Sequence, residues 1–135
     1  MIYTTYFAKL RSLPKDIIPI SICGKAPDGY KGLQYKKLAP KYEFFQHWKQ
    51  TGDNDYYVSC YYGQVLNGLS ADEVVRELYE LAYMNAIPGQ VVKDIALVCY
   101  EKPIDFCHRH LISDWLINAG WNCEEYYVKN EDKNE

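Results

Sequence analysis

The sequence predicts an α/β domain with a mostly parallel sheet and helices on both faces. Three observations carry this. Short runs rich in Ile, Val, Thr and Tyr alternate with stretches of helical periodicity. The run Ile95–Tyr100 is apolar without alternation, as a parallel strand covered on both faces requires. The chain of 135 residues, 48% hydrophobic, suits one core.

Ile2–Phe7 reads as the first strand, rich in Tyr, Thr and Ile. Ala8–Leu13 is short and helical or irregular. Ile17–Cys23 is a second strand, and Pro19 confines it to a strand start or an edge, because proline cannot donate to a ladder. Gly24 and Pro27-Asp28-Gly29 then turn the chain. Pro40 is placed to open a helix whose apolar positions are Tyr42, Phe44, Phe45 and Trp48. Gly52-Asp53-Asn54-Asp55 is a turn or a cap, and Tyr56–Leu69 follows as a weakly patterned helix.

Ser70 and Glu73 form a capping box ahead of Val74, Val75, Leu78, Leu81 and Ala82 at helical spacing. Pro88-Gly89 ends that helix. After the strand Ile95–Tyr100, Asp105 is expected to cap a helix over Phe106–Ala119, with Gly120 beyond its end. Trp121–Val128 is the expected last strand. Residues 1–128 are thus expected to form one domain, and 129–135 a charged, disordered tail. No internal repeat is visible.

No apolar run reaches the 18 or so residues of a membrane span, and MIYTTYFAKL reads as a strand rather than a leader. Five cysteines, irregularly spaced and without a Cys-x-x-Cys, read as reduced thiols of a cytoplasmic protein. Fourteen tyrosines suggest wet clefts or interfaces as well as core. Residues 1–50 carry nine Lys and Arg against three Asp and Glu, whereas the remainder carries six against fifteen. The basic half can attract an anionic ligand; solvated surface lysines are the plainer reading.

The chemically capable side chains crowd one strand-to-helix junction, Cys99-Tyr100-Glu101 followed by Cys107-His108-Arg109. In open parallel sheets, ligands bind beyond the carboxyl ends of the strands. At about 100° per residue, His108 falls near the centre of the inward helix face, and Cys107 and Arg109 on its shoulders. His110 points away. The first helical turn presents free N–H groups and a partial positive charge, which favour anions and thiolates. Arg109 adds a planar donor, and Glu101 a base or hydroxyl acceptor. The structural alternatives are a packed thiol at Cys107, a satisfied core imidazole at His108, and a Glu101–Arg109 clamp. Cys99 reads as core.

A tyrosine-phosphatase loop needs Cys and Arg separated by five intervening residues; nine separate Cys99 from Arg109. Adjacent Cys107 and His108 diverge on a helix and make a poor zinc pair, so no metal is expected. No glycine-rich loop follows the first strand, where Thr5-Tyr6-Phe7 stands, which disfavours a methyltransferase.

These residues resemble the signature of the DUF488 family, a domain family of unknown function. Its members commonly show a strand ending in Cys-x-Glu and then Cys-His-Arg opening a helix. Here Cys99, Glu101, Cys107, His108 and Arg109 stand in those places. The segment Tyr30-Lys31-Gly32-Leu33-Gln34-Tyr35-Lys36-Lys37-Leu38-Ala39-Pro40 looks like the Gly-x-x-Tyr-x-x-Leu-Ala-Pro stretch of the shorter members. The opening strand also fits, so the likeness spans roughly residues 2–119. The resemblance implies a Rossmann-like α/β fold and a site, not a reaction. Where relatives often carry Ser-Arg or Asp-Arg after the second strand, this chain has Ser21-Ile22-Cys23-Gly24-Lys25. Lys25 is a point charge and does not copy a bidentate arginine.

The resulting expectation is a small cytoplasmic enzyme acting on a nucleotide, nucleic acid or other phosphorylated ligand. Glu101 is base or nucleophile, His108 orienter or acid, Arg109 anion clamp and Cys107 an optional nucleophile. Lys25, Tyr30, Tyr35, Lys36 and Lys37 would form a basic, aromatic ligand wall. The residues do not identify a cofactor, and a homo-oligomer is compatible with them. The competing readings are a non-catalytic nucleotide- or anion-binding module and a protein-interaction factor.

Overall fold

The computed structural model of the chain describes residues 1–128, so the expected tail at 129–135 lies outside the described residues. Strands β1 (Ile2–Tyr6), β2 (Ile17–Ser21), β3 (Leu33–Gln34), β4 (Asp94–Cys99) and β5 (Cys123–Glu125) form one sheet. Its order is β3-β2-β4-β1-β5, and every pairing is parallel. Helices α1 (Tyr42–Thr51), α2 (Asn54–Tyr61), α3 (Ala71–Met84) and α4 (His108–Asn118) complete it. This is the α/β, Rossmann-like architecture that the alternation of elements predicts. No described helix is long and apolar enough to cross a membrane.

Strand β4 lies at the centre, paired with β1 on one side and β2 on the other, and all six of its residues are buried. Its unbroken apolar run is therefore explained: neither face meets water. One continuous core joins Ile95, Leu97 and Cys99 of β4, Ile18 and Ile20 of β2, Val74 and Leu78 of α3, and Ile112 and Leu116 of α4. Pro19 is tolerated because β3 pairs with β2 only at Ile20 and Ser21. The first half of β2 is thus an edge on that side, where a missing N–H breaks no ladder.

The signals at helix ends act as expected in three places. Ser70 Oγ accepts from the Glu73 N–H at 3.3 Å, and Asp53 Oδ1 accepts from the Tyr56 N–H at 3.1 Å. After α4, Gly120 takes φ +97, while its N–H donates to Ile117 O and the Trp121 N–H donates to Leu116 O. That closing pattern needs a left-handed residue, and it swings the chain directly into β5.

Three boundaries differ from expectation. The helix begun at Asn54 does not run as one regular piece; its end widens into a π-helical turn at Tyr62–Leu66. Helix α4 begins at His108, not Phe106. Cys107 occupies its N-cap position in extended geometry, and no side chain caps the end. The Asp105 N–H instead closes a turn onto Lys102 O. The last strand is also shorter than predicted.

Leu97 is fully buried in β4, whereas Ile104 is 92% exposed. Leu97→Ala should lower stability by about 2–5 kcal/mol, and Ile104→Ala should change it by no more than about 0.5 kcal/mol. Urea denaturation of the two variants checks this; equal losses would contradict a central β4.

Candidate functional site

The carboxyl end of β4, the loop that follows it and the start of α4 meet at one point. Cys99 is the last residue of β4, paired in register with Tyr6 of β1. The loop returns the chain so that Cys107, at the N-cap of α4, faces Cys99. The two sulfurs lie against each other across a sequence separation of 8 residues. The five cysteines expected as thiols are therefore not all isolated: Cys23, Cys60 and Cys123 stand apart, whereas Cys99 and Cys107 meet. The physical reason is the shifted helix start. With Cys107 extended rather than helical, its sulfur turns toward the strand end instead of around a helix shoulder.

Arg109 lies directly behind the pair and is completely buried. Its Nε and Nη2 donate to the Glu125 carboxylate at 3.2 and 3.0 Å, a two-point ion pair. Its Nη1 donates to Cys99 Sγ at 3.1 Å and to the main-chain carbonyl of Glu101. Glu125 also accepts from the Thr4 hydroxyl at 2.7 Å. The register explains the convergence. Thr4 of β1 pairs with Glu125 of β5, so the two side chains stand together over α4. The Arg109 guanidinium is therefore occupied by the protein itself. The predicted Glu101–Arg109 clamp forms only through the Glu101 main chain; the carboxylate partner is Glu125.

His108 is buried, and its Nε2 lies 2.9 Å from Ile22 O. A carbonyl only accepts, so Nε2 carries the hydrogen and Nδ1 is left with a lone pair. Nδ1 lies 4.0 Å from Cys107 Sγ. Burial pushes the imidazole down to about 4, and the nearby Arg109 and His110 charges push the same way. It is neutral at physiological pH. His110, expected to point away, is half-buried, and its Nε2 has no partner among the described residues.

Glu101, Cys107 and His108 line one narrow cleft with Phe45, Trp48, Tyr57 and Phe106; its volume is about 20 Å³. The rings pack closely: Trp48 and Phe106 centroids lie 5.4 Å apart, and Tyr57 meets Phe106 edge-on at 5.1 Å. Helices α1 and α2 bring this aromatic wall to the junction. Burial raises the Tyr57 phenol well above its ordinary range, and the Glu101 charge raises it further. The Glu101 carboxylate makes no hydrogen bond or ion pair among the described residues, and the side chain is half-buried.

The predicted ligand wall is built differently. Lys37 pairs with Glu77 at 3.0 Å, and the Tyr35 hydroxyl donates to the same carboxylate. Lys36 donates to Gly24 O, and the Tyr30 hydroxyl donates to Leu33 O at 2.8 Å. Lys25 is exposed, and its carbonyl accepts from the Tyr100 hydroxyl at 2.6 Å. These residues fasten the loops at the carboxyl edge of the sheet to one another. None of them lines the cleft.

Sequence reasoning missed four residues of this junction. Cys99 was assigned to the core; it is core, and its sulfur also meets that of Cys107. Glu125 sits in a short acidic strand with no motif to mark it. Trp48 and Phe106 were visible as aromatic residues, but nothing local placed them together. Among the described residues, Cys99, Cys107 and His108 also bring three metal-ligating atoms within 4.8 Å of one another. A soft divalent ion would find two thiolates and an imidazole there.

Two outcomes follow from this geometry. Glu125→Gln leaves a buried guanidinium without its counter-charge and should cost about 3–5 kcal/mol in chemical denaturation. Glu101→Gln, which breaks no side-chain pair, should change stability by no more than about 0.5 kcal/mol. For His108, the folded value of about 4 lies below the ordinary 6.5. Between these values the unfolded chain binds the extra proton, so stability is intact above pH 6.5 and is lost as pH falls toward 4. The loss amounts to about 3 kcal/mol. His108→Gln retains a donor for Ile22 O and should remove that part of the pH dependence; parallel slopes in the two proteins would contradict the assignment.

Residues 3–120 match the family model DUF488-N3a, described as the active DUF488-N3 subclade. No curated protein and no solved structure matches the chain. The match covers β1 through the end of α4 and takes in every residue of the cleft, and the chain is a member of the DUF488 family.

Proposed function

We propose that the chain is a small enzyme acting on a nucleotide, nucleic acid or other phosphorylated ligand at the β4–α4 junction. One observation carries the reading. A thiol, an imidazole lone pair and an unpaired carboxylate, from Cys107, His108 and Glu101, line a single aromatic-walled cleft. Aromatic faces such as Trp48 and Phe106 are platforms on which a base stacks. The first turn of α4 lies beside the thiol and favours a phosphate or a developing oxyanion there. The subclade's description as active agrees with chemistry rather than passive binding. A cleft of about 20 Å³ admits only a small reacting group, so the bulk of the ligand rests on the aromatic rim.

In this reading, the reduced Cys107 is the nucleophile and Glu101 the base. His108, neutral and fixed through Ile22, orients the thiol through Nδ1. Arg109 is a positioning residue: committed to Glu125, it holds Cys99 and the Glu101 main chain and is not free to clamp an anion. Lys25, Tyr30 and Lys36 border the carboxyl edge of the sheet and supply the basic approach to it.

The reduced protein should turn over one class among nucleoside mono-, di- and triphosphates and short single-stranded oligonucleotides, followed by mass spectrometry. Cys107→Ser and Glu101→Gln should each lower turnover by about 10²–10⁴-fold while binding persists. Trp48→Ala should weaken binding by about 1–3 kcal/mol. A bound ligand recovered unchanged would instead identify a non-catalytic binding module, and no binding by any class would end the proposal.

A further inference from the structure

We propose that Cys99 and Cys107 form a reversible dithiol–disulfide centre that exchanges two electrons with a thiol or disulfide partner reaching it through the aromatic cleft. The inference goes beyond the nucleotide reading and needs no phosphorylated ligand. It rests on three features of the site.

The first is contact between the sulfurs of two residues set on different elements, a strand end and a helix cap, which places them to form and break a bond. The second is asymmetry of access. Both sulfurs are largely buried, Cys107 at 4% exposed and Cys99 at 1%, but only Cys107 lines the cleft. An incoming sulfur therefore meets Cys107 first. The third is asymmetry of chemistry. Arg109 Nη1 is aimed at Cys99 Sγ at 3.1 Å and is held there by the two-point bond to Glu125. A guanidinium donor stabilises a thiolate, and a stabilised thiolate is the better leaving group in exchange. At Cys107, the lone pair of His108 Nδ1 is placed to accept the thiol hydrogen in the reduced state.

The chemistry balances without a further reagent. In reduction, a partner thiolate attacks Cys107 Sγ and forms a mixed disulfide. The Cys99–Cys107 bond breaks, and its electron pair leaves on Cys99, beside Arg109. A second partner thiolate attacks the partner sulfur of the mixed disulfide. The partner disulfide departs, and Cys107 leaves as a thiolate that takes a proton from water. Two partner thiols are oxidised to one disulfide while the protein disulfide becomes two thiols. Oxidation of the centre by a partner disulfide is the reverse sequence. The remaining thiols do not compete. Cys23 is buried at the end of β2, donates to Val98 O, and is pushed up to about 11, chiefly by burial.

The test equilibrates the whole protein, without nucleotide, in buffers of graded reduced and oxidised glutathione. Thiols are then counted by maleimide labelling after denaturation. The expected result is reversible conversion between five labelled thiols and three, lost and regained as a pair. In a second arm, Cys99→Ser should accumulate a glutathione adduct on Cys107. Cys107→Ser should form one on Cys99 slower by roughly tenfold or more, because that sulfur is enclosed. Five thiols at every ratio would overturn the proposal. So would a disulfide that glutathione reduces only after unfolding, or equal adducts on both single variants. Reduced protein that retains zinc and resists oxidation until a chelator is added would overturn it as well, in favour of a metal site at Cys99, Cys107 and His108. Nucleotide turnover that survives any of these results would leave the proposed function standing, so the two readings fail separately.

Discussion

A single buried cation organises this molecule. The Arg109 guanidinium hydrogen-bonds to three structural units at once, Glu125 of β5, Cys99 of β4 and the loop carbonyl of Glu101, and Glu125 in turn accepts from Thr4 of β1. A charge so enclosed is unfavourable unless its hydrogen-bonding and electrostatic needs are met within the protein. They are met only when β5 is in register with β1 and when α4 starts at His108. The pair thus adds little net stability compared with apolar packing, but it penalises alternative registers strongly. The Gly120 turn is part of the same constraint, since it delivers β5 to the place where Glu125 can reach the arginine.

The constraint determines what the site can do. An arginine committed to Glu125 cannot bind a ligand carboxylate or phosphate with the same donors. It acts on the chemistry indirectly, by fixing the sulfur of Cys99 and the main chain of Glu101. The groups left for a ligand are those on the cleft side: the Glu101 carboxylate, Cys107, His108 and the rings of Trp48 and Phe106. His108 is likewise fixed from behind, by the carbonyl of Ile22 at the end of β2. The carboxyl ends of β2 and β4 therefore orient the first turn of α4, which is where open parallel sheets place ligand sites.

Much of the fold was legible along the chain because its signals are local. The continuous apolar run of β4 marks a strand covered on both faces. Ser70 with Glu73, and Gly120 after α4, mark helix ends through bonds that span a few residues. The candidate site was legible as a place, since Glu101, Cys107 and His108 are close in sequence and all reach the cleft. The start of α4 was misread because Asp105 is a good capping residue by type. The chain uses that residue in a turn and gives the N-cap position to Cys107.

The sequence by itself determined the alternation of strands and helices, the central strand, most helix ends and the junction at which Glu101, Cys107 and His108 gather. These depend on periodicity and on contacts within a turn or two of chain. Only the tertiary structure decided which side chains meet. Arg109 pairs with Glu125, 16 residues on, rather than with Glu101. Tyr35 and Lys37 of the basic segment both meet Glu77, about 40 residues further along the chain. Cys99 is both a packed core residue and a neighbour of the Cys107 sulfur. Each of these depends on sheet register and on where a helix begins, and a one-residue shift in either would send the same side chains elsewhere.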